Sequence, residues 1–114
     1  MKRLATALAV ASACAGSFGS EKDYQLTWCI NGATEYRLED RTRVDCLTDR
    51  HAIEFDFAPK WAEALGQSLH YSRMTGKRAG IVLIYRKPAD RRYLERLNAV
   101  IEQHQLPIDV WVMQ

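Results

Sequence analysis

The sequence predicts an α/β domain of three layers, a mixed sheet with helices on both faces, and three observations carry that expectation. Residues 51–57, H-A-I-E-F-D-F, alternate strictly, with Ile53, Phe55 and Phe57 on one side and Ala52, Glu54 and Asp56 on the other, the period of a strand. Residues 79–86, A-G-I-V-L-I-Y-R, form an almost continuous apolar run of β-branched type, as in a central strand covered on both faces. Two stretches of helical period, 60–75 and 91–105, stand on either side of that run. With the remaining segments, the expected order is α-β-β-β-α-β-α-β.

Taken in order, the chain opens on a basic Met1-Lys2-Arg3, an alanine-rich apolar run Leu4 to Ala13, and an A-x-A pattern at Ala13-Cys14-Ala15. This reads as a Sec signal peptide over residues 1–15, cleaved after Ala15, and places the protein in the periplasm or outside the cell. The run is too short for a stable membrane span. Two other readings stay open: a buried N-terminal helix, and a lipoprotein cysteine at Cys14 after Ala11-Ser12-Ala13. Residues 16–21 are expected to be a flexible tail, and residues 22–114 a single domain.

Lys22 to Asn31 reads as a short helix with Leu26 and Cys29 or Ile30 inward, stopped by Asn31-Gly32 in the left-handed region. Thr34–Glu39 and Thr42–Thr48 form a hairpin about Asp40-Arg41, and the alternating strand follows. Ala58-Pro59 opens the helix of residues 60–75, which stops at Gly76. Its Trp61, Leu65 and Leu69 point inward, while Lys60, Glu63, Gln67, Tyr71 and Met74 make a second stripe. After the central strand, Lys87-Pro88-Ala89-Asp90 is a turn with Asp90 as N-cap. The helix 91–105 turns Tyr93 or Leu94, Leu97, and Val100 or Ile101 inward; Leu106-Pro107 ends it, and Ile108 to Met113 is the last strand.

Charge narrows the function classes. The 16 basic residues face 14 acids, and loss of Lys2 and Arg3 with a leader leaves 14 against 14. A balanced chain lacks the electrostatic footprint of a constitutive nucleic-acid binder. Local clusters at Arg41, Arg43 and Arg50, and at Arg73, Lys77 and Arg78, read as solvated surface or as contacts for a partner. Cys29 and Cys46 are an even pair in an exported chain: either a disulfide closing a loop of about 17 residues or two buried thiols. They have no neighbours at zinc-ligand spacing. His51, His70 and His104 share no spacing and read as surface residues, and there is no Ser/His/Asp set, glycine-rich phosphate loop or HExxH.

The chemistry-bearing stretch is Asp45 to Gly76. Glu54 and Asp56 stand about 6.5–7 Å apart on one face of their strand, and Asp45 lies on the strand before. The face is either a solvated half of an antiparallel strand, where alternating acids are common, or a carboxylate site roofed by the following helix. The stripe Lys60, Glu63, Gln67, Tyr71 likewise reads as the wet side of that helix or as the rim of a site.

The element order, with acids in those places, resembles the PD-(D/E)XK superfamily, the restriction-endonuclease-like and Holliday-junction-resolvase-like nucleases. The resemblance covers about 80 residues, Trp28 to Arg86, and rests on Glu35, Asp45 and Glu54-Phe55-Asp56, with Gln67 in the next helix. Arg43 to Tyr71 is also similar to short exported bacterial proteins of unknown function. The resemblance implies a three-layer restriction-endonuclease-like core and metal-assisted phosphodiester hydrolysis of DNA or RNA. Asp45, Glu54 and Asp56 would hold Mg²⁺ or Mn²⁺, Glu35 would orient through water, Gln67 and Tyr71 would position the attacking water or the backbone, and Tyr71 and Arg43 would meet substrate. The sequence departs from the pattern at Asp56, where these nucleases carry a lysine; Lys60 could return that cation from the helix start. A non-catalytic exported module on the same fold, binding a protein partner, is the other reading.

Overall fold

The computed structural model describes the backbone of residues 2–4 and residues 19–114. Its elements are β1 (Lys2–Leu4), α1 (Glu21–Trp28), β2 (Ala33–Arg37), β3 (Arg43–Leu47), β4 (His51–Phe57), α2 (Trp61–Thr75), β5 (Arg78–Ile84), α3 (Arg91–His104) and β6 (Ile108–Met113). Single 3-10 turns lead into α2 and α3. From α1 onward the elements follow the expected series, and β1 is an addition to it. The rest of the expected leader, the cleavage position after Ala15 and the alternative at Cys14 lie outside the described residues. Among the described residues, no helix is long and apolar enough to cross a membrane.

One six-stranded sheet carries the fold, in the order β1-β6-β5-β4-β3-β2. β4, β5, β6 and β1 are mutually parallel, and β2, β3 and β4 form an antiparallel meander. Register sets Ile53 beside Gly80 beside Asp109, and Phe55 beside Val82 beside Trp111. Alternation then sorts the side chains onto two faces. On one, Ile53, Phe55, Val82, Ile84, Trp111 and Met113 pack with Tyr24 and Trp28 of α1. On the other, Ala79, Ile81, Leu83, Ile108, Val110 and Val112 pack under Ala64 of α2 and Leu94, Leu97 and Ile101 of α3. Helices on both faces make the three layers.

Local chemistry explains most boundaries. Pro59 sits at the start of the turn that opens α2, and Gly76 ends that helix at φ 73°, a conformation a side chain would resist. β5 is buried from Ala79 to Ile84, as its unbroken apolar run requires. A Cys29–Cys46 disulfide ties the end of α1 to β3.

Three sequence-based expectations fail. The first helix begins at Glu21, within the expected tail, because Ser20 caps it: its hydroxyl accepts from Asp23 N while the Asp23 carboxylate accepts from Ser20 N. That phase leaves Leu26 and Ile30 57 % and 79 % exposed and turns Gln25 and Cys29 inward. Asn31-Gly32 does not stop the helix, which ends at Trp28. Gly32 answers to a close approach instead: a Cβ there would lie 2.7 Å from Cys29 Sγ and 2.9 Å from Cys46 Sγ. Asp90 stands at the N-cap position of α3 as expected, but its side chain makes no cap hydrogen bond to that helix. Its Oδ2 accepts from Arg86 N at 2.8 Å and Lys87 N at 3.3 Å, closing the turn after β5.

Candidate acidic site

The expected site is built around a break in the β3 ladder. β2 and β3 pair at Thr34–Cys46 and Tyr36–Val44, but between them Glu35 takes φ 53°. β3 and β4 pair at Cys46–Ile53 and Leu47–Ala52. Cys46 packs on the α1 face with Ile53, whereas Val44, two residues away, packs on the α2 face with Ala52 and Tyr71. A regular strand would keep Val44 and Cys46 on one side, so the chain kinks at Asp45 as it does at a bulge. The kink swings Asp45 towards β4, where its Oδ2 accepts from Phe55 N at 2.8 Å in place of a backbone carbonyl.

That contact sets Asp45 beside Glu54. The two carboxyls share a hydrogen bond, Glu54 shares another with Asp56, and Asp56 a third with Glu21 of α1. Glu54 and Asp56 are 6 % and 5 % exposed, so the solvated-face reading of β4 is excluded. α2 covers this face. Tyr71 is buried, and burial first, then the charges of Glu54, Asp45 and Asp56, push its phenol above its ordinary range.

Carboxyls crowded in a dry place hold protons. Burial, then the Asp45 charge, pushes Glu54 up to about 11. Asp56 rises to about 8 through burial and its contact with Glu21. Asp45 rises only to about 6, because the Phe55 N–H and the Glu54 hydrogen bond offset its burial. Glu54 and Asp56 are therefore the groups that keep their protons near neutral pH, and Asp45 the one that holds charge.

The other expected residues scatter. Glu35 is exposed on the outer strand β2 and pairs with Arg43 of β3 at 3.8 Å, so Arg43 is engaged there. Lys60, in the turn before α2, and Gln67, on α2, are exposed, apart from the buried Tyr71, which belongs to the inward face with Ala64 and Ser68. The stripe drawn from spacing thus splits, because residue 71 lies a full two turns from Ala64 and falls beneath the helix. Glu21 was not foreseen; its one sequence signal is its place in the first turn after a Ser cap. His51 was misread as surface: its Nε2 lies 2.7 Å from Asp109 Oδ2, on the opposite face of the sheet from Glu54.

The donor set, carboxylate oxygens only, suits a hard cation such as Mg²⁺ or Mn²⁺. Glu54 Oε1 and Asp56 Oδ2 are buried and accept no hydrogen bond in the structure, which leaves lone pairs for one. Among the described residues, no three His, Cys, Asp or Glu side chains already surround a common point as metal ligands. The carboxyls are bonded to one another instead. Compared with known proteins, the chain matches no family model, no curated protein and no solved structure.

Proposed function

We propose that the chain is an exported nuclease-like protein that hydrolyses phosphodiester bonds of DNA or RNA with Mg²⁺ or Mn²⁺ held by Asp45, Glu54 and Asp56. One observation carries this reading: buried carboxyls from two adjacent strands touch under a helix, an arrangement that is costly unless protons or a cation neutralise it. A divalent ion in that place would neutralise developing phosphate charge and acidify a bound water. Asp45, pinned by the Phe55 N–H, would present its carboxylate to the ion, and loss of the Glu54 proton turns that side chain from donor to ligand. Glu21 holds Asp56 from the far side, and the Tyr71 ring keeps bulk water off the cluster. Lys60, at the start of α2, supplies the cation missing at position 56, and Gln67 faces solvent on the same helix, where a substrate strand would pass. The disulfide supports an oxidising compartment, periplasmic or extracellular.

A second reading is favoured by Asp56, which stands where the resemblance has a lysine: an inactive module that binds a protein partner through the same fold. One experiment separates the two. Residues 16–114 are incubated with single- and double-stranded DNA and with RNA in Mn²⁺, and melting is followed with and without the ion. The nuclease reading expects cleavage, a Mn²⁺-dependent rise in melting temperature, and loss of both by at least 100-fold and several degrees in Glu54→Gln. A Mn²⁺ shift without cleavage supports the binding module; neither effect would sink both the metal site and the hydrolysis.

A further inference from the structure

On the sheet face away from the acidic cluster, an open cleft of about 920 Å³ lies where β4, β5 and β6 begin. Its volume falls within the range that holds small organic ligands. Trp28 and the Cys29–Gly32 loop form one wall, Thr48 to His51 the other, and Arg78, Asp109 and Trp111 the floor. Asp109, 3 % exposed, accepts from Arg78 Nε at 3.0 Å and is bonded to His51 Nε2 at 2.7 Å. Burial would raise this acid, but those two hydrogen bonds outweigh it and hold its pKa below the ordinary value. The Asp109 charge is thus spent at the floor, while its Oδ1 accepts no hydrogen bond.

The pairing uses only Nε of Arg78, leaving both terminal amines of its guanidinium without a partner among the described residues. Arg50 is exposed with no side-chain partner there either, and Lys77 donates to the Asp49 carbonyl at 2.9 Å. Arg50 and Arg78 therefore line the cleft against one exposed acid, Asp49. Beside them Trp28 is half-buried, its ring 5.4 Å from that of Trp111, which in turn stands 5.0 Å from the His51 ring. Guanidinium forks next to indole rings suit a flat ring that carries anionic oxygens.

We propose that this cleft is a second binding site, separate from the acidic cluster, for a small planar ring compound bearing a carboxylate or phosphate. Arg50 and Arg78 bind the anionic group, and Trp28 packs on the ring. The loop wall is held by the disulfide, against which Gly32 lies with no room for a side chain, so ligand binding depends on the oxidised pair.

Calorimetric titration of the purified, oxidised chain with AMP and, separately, with indole-3-carboxylate tests this and distinguishes phosphate from carboxylate as the anion. Saturable 1:1 binding of either below about 1 mM is expected, weakened at least tenfold in Arg50→Ala, an exposed position that folding tolerates, and in Arg78→Gln. Glu54→Gln should bind as wild type, which separates this site from the proposed hydrolytic one, and reduction of the disulfide should weaken binding. No saturation by either probe below 5 mM, or affinity unchanged in Arg50→Ala, would overturn the proposal.

Discussion

Glu54 shows how one side chain sets a pH dependence. Its folded pKa lies far above the 4.5 of a free glutamate, and Asp56 shifts the same way from 3.8. The folded state then keeps protons that the unfolded chain releases, so the contribution of these two carboxyls is full below about pH 4 and is lost as pH rises towards 8 and beyond. Glu54→Gln removes much of that slope: at pH 8 it is expected to stabilise the chain by about 1–2 kcal/mol, and at pH 4 to change little, as urea melts at the two values would show. Position 32 is less forgiving. Gly32→Ala drives a methyl into both sulfurs of the disulfide and should cost about 1–3 kcal/mol by the same assay. The acid pattern of β4 was legible because alternation is a two-residue rule. Its burial was not, since nothing local in H-A-I-E-F-D-F says that α2 lies on the polar side. His51 was missed for a related reason: its partner Asp109 is 58 residues away.

Strands and helices repeat the lesson in larger units. β4, β5, α2 and α3 were readable because each has a long period and a plain stop, such as Gly76. α1 has eight residues, too few for its period to fix a face, and the Ser20 cap with the Cys29 bond decides which side turns in. The kink in β3 has no composition signal, because Asp45 does there what a backbone carbonyl does elsewhere. Asp45→Ala should leave the buried Phe55 N–H without an acceptor and cost about 1–3 kcal/mol, while Asp45→Asn, which keeps an acceptor, should cost less. A difference in chemical denaturation between the two variants checks that reading of the kink.

Across the whole molecule, the disulfide joins α1 to the sheet over a separation of 17 residues. Replacing both cysteines by serine should lower stability by about 3 kcal/mol on the chain-entropy argument, visible as an earlier melting midpoint in the oxidised protein only. The outer border of the sheet has a different guardian. β6 is flanked on its far side by the three residues of β1, which pair from Val110 to Val112. A processing cut after residue 15 would carry that ribbon away and bare one row of peptide groups on I-D-V-W-V-M, whose one charge, Asp109, is already engaged. Deuterium uptake along Ile108–Met113 should then rise on processing, and the trimmed protein, more than its precursor, should need dilute solution to stay dispersed.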